Sequence, residues 1–140
     1  MRYGIKVTPK DGKFEVTCRD IPECVYDADT EKEVLDLASQ MLPGTLVIFY
    51  RKKQLPFPLP SRLRKGEVGI AVPARVQAKM LFWNFMKSKG LKISDVAKKL
   101  GVSHSEASRL VDLTRDSASI DTVEEALKKL GGSLDLSVKE

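Results

Sequence analysis

One stretch constrains the fold of this chain more than any other: residues 91–113, which have the pattern of two short helices joined by a tight turn. In the first segment, apolar residues recur at helical spacing from Ile93 to Leu100 and leave charged residues on the opposite side. Gly101 follows at once, where a chain leaving a helix needs the positive φ that glycine adopts without steric cost. We therefore expect the first helix to end at Leu100.

The second helix is expected to begin directly after Ser103. Serine is a favoured N-cap, and Glu106 three residues later completes the pattern of a capping box. Because so short a turn makes two helices cross steeply, the apolar side of the second helix should pack against the first helix. Its opposite side then points outward, where side chains can meet base edges in a DNA major groove. The outward side consists of His104, Ser105, Ser108 and Arg109.

This pattern resembles the DNA-reading unit of the lactose-repressor family and, more loosely, of phage-repressor-type domains. The matching residues are Ile93, Asp95, Val96, Ala97, Gly101, Val102, Ser103, Ser108, Arg109 and Leu110. By that resemblance, His104, Ser105 and Arg109 fall where base-contacting side chains sit, and Arg109 is the best candidate to pair with a guanine. Glu106 and Ala107 depart from the pattern, in which Thr and Val are usual.

The charge around this stretch favours a nucleic-acid partner. Residues 87–115 carry seven basic residues against three acidic ones, and Lys98 and Lys99 lie just before the turn, where they suit phosphate contacts. Two simpler readings stay open. A helix-turn-helix also serves as a packing solution in proteins that never touch DNA, and a charge run is usually a solvated surface. With these alternatives weighed, Ser103, Lys98 and Lys99 join the outward residues as candidate DNA-binding residues.

Length and composition set the broad class. A chain of 140 residues suffices for one domain or two small ones, and a hydrophobic fraction of 42% is enough for a core. The formal charge of +5 is mild for a DNA-binding protein, so other partners remain possible. No apolar run approaches the ~20 residues that span a bilayer, and the polar N-terminus lacks the pattern of a secretory signal. We therefore expect a cytoplasmic protein without a membrane partner.

Metal and cofactor chemistry are not expected. Cys18 and Cys24 are the only cysteines, and the only histidine is His104, far away in the chain. That spacing matches no zinc pattern, and two thiols in a cytoplasmic protein are most often small buried side chains. We predict no metal ligands and no cofactor.

The first 72 residues have the pattern of a small α+β domain. Two alternating strands flank the Asp11–Gly12 turn, and Cys24 to Tyr26 suggests a short third strand. Thr30 then caps an apolar helix, which Pro43 either kinks or divides into two. A proline-rich extended connection precedes a last strand over residues 67–72.

The remaining residues have the pattern of a helical domain. A helix is expected from Pro73 to Lys89, followed by the pair described above and by a helix over residues 121–130. Residues 133–138 alternate in strand fashion. Because a lone strand leaves its hydrogen-bonding groups unpaired, we expect this strand to pair with its mate in a homodimer.

In its assembled order, the chain resembles the HicB-type antitoxin family of type II toxin-antitoxin systems. The order is MRYGIKVTP, a turn, FEVTCRDIPE, a capped helix, a proline-rich segment, a strand ending at Val72, the DNA-reading helices and a short terminal strand. The segment from Asp20 to Pro22, followed by Thr30 and Glu33, is the more telling part. The glycine that usually precedes the helix is missing, and Asp27, Ala28 and Asp29 stand in its place.

The resemblance implies an α+β protein in two parts. Residues 1–72 would form a partial RNase H-like ββ(β)αβ domain that binds and covers a small HicA-type toxin, a ribonuclease that degrades mRNA. Residues 73–140 would form a helix-turn-helix domain with a short C-terminal strand, which dimerises and binds operator DNA in the promoter of its own operon. Repression of that operon follows from the same resemblance.

Charge gives an independent argument for a toxin-binding surface. Residues 20–36 carry seven acidic residues against Lys32 alone, so an acidic segment lies within a basic protein. Such a segment favours a basic partner, as an RNA-cleaving toxin is expected to be. The simpler reading is that these carboxylates only solubilise a loop and favour a helix N-terminus. The candidate toxin-binding residues are Asp20, Ile21, Pro22, Glu23 and Asp27.

Two other functions compete with this one. The chain could be a stand-alone transcriptional repressor whose N-terminal domain senses a small molecule or mediates assembly. It could also be an RNase H-like enzyme, but that chemistry needs carboxylates gathered around divalent metal, and the first strand contains none. We therefore expect no catalytic residues.

Overall fold

The structure, a computed structural model, describes residues 1–138. The chain folds as two compact units, the first comprising Met1–Pro73 and the second beginning at Ala74. The first unit holds a sheet and one long helix, and the second unit holds four helices. The architecture is therefore α+β, as predicted.

The sheet of the first unit has four antiparallel strands. They are β1 (Arg2–Lys10), β2 (Lys13–Cys18), β3 (Tyr26–Ala28) and β4 (Val68–Ala71), in the spatial order β3-β2-β1-β4. The predicted hairpin joins β1 to β2, and both of its turn residues have positive φ, 51° at Asp11 and 79° at Gly12. Such a turn matches the twist of the flanking strands, and aspartate followed by glycine is the sequence that adopts it most readily.

The third strand lies two residues later than the sequence predicts. Cys24 is fully buried in the preceding loop, where its N–H donates to the carbonyl of Ile21 at 2.9 Å. Val25 is likewise held in a turn by a bond to the carbonyl of Glu23. Because these amides are already used, pairing with β2 begins only at Tyr26, which stands opposite Val16.

One continuous helix, α1 (Glu31–Leu46), packs on the sheet. It begins after Thr30, whose Oγ1 accepts a hydrogen bond from the N–H of Glu33 at 3.1 Å. Pro43 does not divide the helix, which instead continues into a π-helical turn over Val47–Arg51. Burial of Leu42 and Leu46 on either side of the proline holds both halves on the sheet, so packing outweighs the missing N–H.

An extended segment, residues 55–67, returns along the sheet to β4. It is held by Phe57, which is buried, and by Arg19, whose guanidinium donates to the Glu67 carboxylate at 3.0 and 3.3 Å. Gly4 lies beneath it, and a Cβ on Gly4 would come within 2.5 Å of Glu67 Oε1, so a larger residue there would displace the Glu67 carboxylate. The Arg19–Glu67 ion pair therefore closes the segment over the sheet directly above Gly4.

The stability of the first unit should fall in acid through Glu67. Its hydrogen bonds from Arg19, and then from the backbone N–H of Arg64 at 2.7 Å, hold its pKa below the ordinary glutamate value. The stabilisation is thus complete above the pKa of the unfolded chain and is lost as pH falls through the lower pKa of the folded chain. The tyrosines, Tyr3, Tyr26 and Tyr50, all lie in this unit, so the NMR signals of their ring protons report its unfolding in urea.

The matched variant is Glu67→Gln. It should unfold at lower urea concentration than wild type near neutral pH, and the difference should shrink as pH falls below the glutamate range. A difference that stays constant with pH would show that the carboxylate charge contributes nothing to closure of the segment.

The described part of the second unit, residues 74–138, contains four helices: α2 (Ala74–Ser88), α3 (Ile93–Leu100), α4 (His104–Arg109) and α5 (Ile120–Lys129). Gly90 and Gly101 both adopt positive φ where α2 and α3 have ended. Ser119 caps α5 by accepting a hydrogen bond from the N–H of Thr122 at 3.1 Å. The buried apolar side chains include Val76, Met80, Phe82, Trp83, Val96, Val111, Val123 and Leu127.

Residues 133–138 hold no regular structure in the single chain, so the predicted strand does not form on its own, and its pairing in a dimer stays a prediction. Leu136 is 54% exposed and Val138 is 93% exposed. Apolar residues do alternate in this segment, but a strand exists only where another strand accepts its hydrogen bonds. Within residues 1–138, the sheet lies in the first unit and includes no residue beyond Ala71.

Candidate functional site

The first candidate surface is the pair of short helices α3 and α4. The turn between them places Gly101 at φ 68°, and Ser103 then accepts a hydrogen bond from the N–H of Glu106 at 3.1 Å. The buried side of the pair includes Val96, Ala107 and Leu110. The three-residue turn and the N-cap both lie where the sequence predicts them.

The residues predicted to bind DNA lie at the surface of this pair. His104, Ser105 and Arg109 are exposed, and Ser108 is half-buried between them. Ser103 is exposed too, but its hydroxyl is used as the N-cap of α4. Lys98 and Lys99 are exposed at the end of α3. The geometry therefore leaves a polar and basic surface open around α4, and contact with DNA stays a prediction.

Lys79 is a residue that sequence reasoning missed. Its side chain is fully buried, and its Nζ donates to the backbone carbonyls of Asp112 and Arg115, each at 2.8 Å. Burial lowers its pKa below the ordinary lysine value. These two bonds tie α2 to the loop that follows α4. The sequence does indicate that Lys79 is buried, because Lys79 falls within the apolar stripe that Val76, Met80 and Trp83 form at helical spacing.

The second candidate surface is the acidic segment of the first unit. Its Asp20 carboxylate accepts hydrogen bonds from the N–H and hydroxyl of Ser61, at 2.9 Å each. Glu23 accepts from the Tyr50 hydroxyl at 2.6 Å, and burial together with this bond raises the pKa of Tyr50 to about 12. Both carboxylates thus have partners within the chain, which the sequence did not reveal.

The other three predicted toxin-binding residues differ in exposure. Pro22 and Asp27 are exposed, and Asp27 stands opposite Glu15 in the pairing of β3 with β2. Ile21, in contrast, has an exposed fraction of 0%. Its side chain is part of the core, so the structure corrects its assignment from a contact residue to a residue that holds the loop in place.

Large apolar side chains also lie exposed near the acidic segment. Met41 and Ile48 are 44% and 53% exposed, and Phe49 is partly exposed beside them in the chain. Val25, just before β3, is 48% exposed. Met41 lies outside the buried sector of α1, which is narrower than the apolar side of that helix. The spacing of apolar residues in the sequence does not reveal how wide the buried sector of α1 is.

The cysteines lie in the core and have no partner sulfur. Cys18 and Cys24 are both buried and unpaired with each other, and burial raises the pKa of Cys24 to about 11. A thiol with so high a pKa is protonated and unreactive near neutral pH. Within residues 1–138, no three His, Cys, Asp or Glu side chains gather into a potential metal site.

Fold and surfaces together define a class: a two-unit α+β protein with an acidic, partly apolar surface in one unit and a basic helix pair in the other. A family model described as the HicB-like antitoxin of bacterial toxin-antitoxin systems matches residues 2–81. The chain belongs to this HicB-like antitoxin family. The sequence-based resemblance is thereby confirmed.

Curated relatives match over nearly the full chain. "Antitoxin HicB 2" of Photorhabdus laumondii is 36% identical over 136 residues, which cover 97% of this chain and 95% of the relative. "Antitoxin HicB" of Pseudomonas fluorescens is 31% identical over 137 residues, covering 98% and 93%. "Antitoxin HicB" of Escherichia coli is 31% identical over 137 residues, covering 97% and 98%. The similarity therefore extends across both units.

Every helix in the described part of the chain is too short or too polar to serve as a transmembrane span.

Proposed function

We propose that this chain is an antitoxin that binds and neutralises a small HicA-type toxin which degrades mRNA, and that it represses its own operon by binding promoter DNA. The observation that carries the proposal is the match to proteins named antitoxin HicB over nearly the whole of each chain. Both partners, mRNA-degrading toxin and operator DNA, place its action in the cytoplasm. The role is one of binding, without catalysis and without a cofactor.

The first unit is the proposed toxin-binding part, residues 1–72. Its order of three strands, a helix and a fourth strand agrees with the partial RNase H-like arrangement that the family resemblance implies. The exposed acids of the segment from Asp20 to Asp36 would attract a basic ribonuclease and imitate the phosphates of its substrate. Asp20, Pro22, Glu23 and Asp27 remain the proposed contacts from the sequence.

The second unit is the proposed DNA-binding and dimerisation part, residues 73–140. In it, α3 and α4 would act as a helix-turn-helix, with α4 entering the major groove. His104, Ser105, Ser108 and Arg109 would meet base edges, while Lys98 and Lys99 would bind phosphates. Ser103 would hold the start of α4 in place through its cap bond to Glu106.

A homodimer through the second unit is part of the proposal. Operators read by such helix pairs consist of two half-sites, which a dimer matches with its own two-fold symmetry. The exposed apolar side chains of Leu136 and Val138 support pairing of the terminal segment with its mate. Sedimentation of the purified chain as a monomer at micromolar concentration would contradict this part.

The leading alternative is a stand-alone repressor whose first unit senses a ligand or mediates assembly. It predicts DNA binding without any effect on a toxin. An RNase H-like enzyme is the least supported reading, since Asp20 and Glu23 are engaged by Ser61 and Tyr50 rather than gathered at a shared metal site. Metal-dependent RNA cleavage by the purified chain would support that reading.

The deciding experiment expresses this chain together with a HicA-type toxin from the neighbouring reading frame. The antitoxin proposal predicts that growth and intact mRNA are restored and that the two proteins copurify. Binding of the purified chain to its own promoter fragment, measured by mobility shift, tests repression separately. Toxicity that persists at equal expression of the two proteins would reject neutralisation, whatever the outcome of the DNA-binding assay.

A further inference from the structure

The outer side of α1 carries a partly exposed apolar stripe. At about 100° of rotation per residue, Glu33, Leu37, Met41, Gly44 and Ile48 fall within a sector of about 80°. We call these five positions the flank stripe. Met41 and Ile48 are about half exposed, whereas the core positions of α1 lie further round the helix and are buried. A helix that leaves such side chains in water has an unused packing surface.

The flank stripe lies beside the outermost strand of the sheet. Thr45 is hydrogen-bonded to the hydroxyl of Tyr26 on β3, and on the helix Thr45 lies in the part of the buried sector that adjoins the flank stripe. Because β3 is the edge strand and its Tyr26 contacts α1 at Thr45, we infer that the flank stripe and the strand edge adjoin. Exposed Val25 extends its apolar area.

The charged residues next to this surface indicate which kind of partner it fits. Asp27 on β3, Asp29 before α1 and Glu33 within the flank stripe are all exposed. Lys53 lies at the other end, with its Nζ 5.8 Å from the ring centroid of Phe49. A surface with an apolar centre and acids along one side fits a basic protein that presents an apolar ridge.

We propose that the flank stripe and the edge of β3 are the surface on which the first unit takes its toxin. This inference rests on the proposed function and adds to it that apolar contacts, and not only carboxylates, carry the binding. Asp20 and Glu23 already have partners within the chain, so their charges are partly satisfied before any toxin arrives. The side chains of Met41 and Ile48 are about half exposed to water, so burying their apolar surface against a partner would contribute favourable free energy to binding.

A second exposed apolar group in the first unit is a worse match for the same partner. Leu59, Leu63 and Val68 are 40 to 47% exposed. They lie along a stretch of chain that includes Arg62, Arg64 and Lys65, whose charges would repel a basic protein. This second group therefore serves as the matched control.

The first test is Gly44→Arg. A Cβ at Gly44 meets no atom within 4 Å, so the fold accepts a side chain there, and a helix interior favours it over glycine. The variant places bulk and positive charge in the flank stripe. Ser39→Arg adds the same charge to an exposed position on the opposite side of α1. Titration of the full chain with an inactivated HicA-type toxin should show affinity weakened by roughly tenfold or more for Gly44→Arg and by less than about twofold for Ser39→Arg.

The second test removes apolar area without adding charge. Met41→Ala combined with Ile48→Ala should weaken toxin binding by roughly tenfold, whereas Leu59→Ala combined with Leu63→Ala should leave it unchanged. One possible result is that the wild-type chain binds toxin and that Gly44→Arg and the double variant Met41→Ala, Ile48→Ala bind it equally well. That result would show that the proposed surface is wrong and would leave the proposed function standing. If these variants lose self-association but still bind toxin, the flank stripe is a contact for a second copy of the chain. The proposed toxin surface would then also be wrong. A wild-type chain that binds no toxin overturns the proposed function itself.

Discussion

Lys79→Met is expected to lower the free energy of unfolding of the second unit by about 1–3 kcal/mol, since two part-buried carbonyls lose their charged donor. The variant keeps the apolar stem of the side chain and removes the ammonium that donates to Asp112 and Arg115 at 2.8 Å each. Both carbonyls belong to the loop that follows α4. The loss of stability should therefore affect α3 and α4, the helix pair that the proposed function uses to bind DNA.

The chain carries its own reporter for this measurement. Trp83 is the single tryptophan, lies on α2 and is buried, so its fluorescence during urea unfolding follows the second unit. Lys99→Met is the matched control, because it removes the same charge from an exposed position on α3 and should change stability by no more than about 0.5 kcal/mol. Equal unfolding midpoints for Lys79→Met and wild type would mean that the two bonds contribute no net stability.

Arg109→Ala is expected to cost about 1–3 kcal/mol of operator affinity and to relax the base preference at one position of each half-site. Arg109 is the last residue of α4 and is exposed, and its guanidinium offers two parallel donors to a guanine edge. A mobility shift with the promoter fragment and with fragments changed at single positions measures both effects. Loss of affinity without relaxed preference would make Arg109 a phosphate contact instead.

Lys98→Ala is the matched control for that experiment. A lysine that binds phosphate should weaken all sequences alike and lower the salt dependence of binding by about one unit of slope. Lys98 is exposed at the end of α3, so its removal leaves the core of the second unit intact. If Arg109→Ala changed neither affinity nor preference, the placement of α4 in the groove would be wrong.

Local signals in the sequence predicted local structure well. The Asp11–Gly12 turn, the caps at Thr30 and Ser103 and the helix end at Gly101 all act within a few residues, so their chemistry can be read directly from the chain. The structure agrees with each of them. The same signals could not fix the start of β3, because the loop bonds around Cys24 decide it.

Features that depend on distant partners were not predicted. Whether Pro43 would break α1 depended on how firmly its neighbours pack on the sheet, and helix propensity does not contain that information. The partners of Asp20 and Glu23 are Ser61 and Tyr50, which lie 41 and 27 residues away. Exposure of Ile48 likewise depends on the width of the sheet that α1 covers. The sequence therefore located both candidate surfaces but not which of their side chains are free.

The shortness of α4 has a consequence for how DNA recognition would be lost. A helix of six residues has no stability of its own in water, where even alanine-rich helices need about 12–15 residues to form. Its order comes from α3, from the cap at Ser103 and from the loop held by Lys79. Warming, or a lesion in any of these supports, would melt the reading surface as a whole. Derepression would then be abrupt and equal at every operator sequence, unlike the graded loss from a single missing base contact.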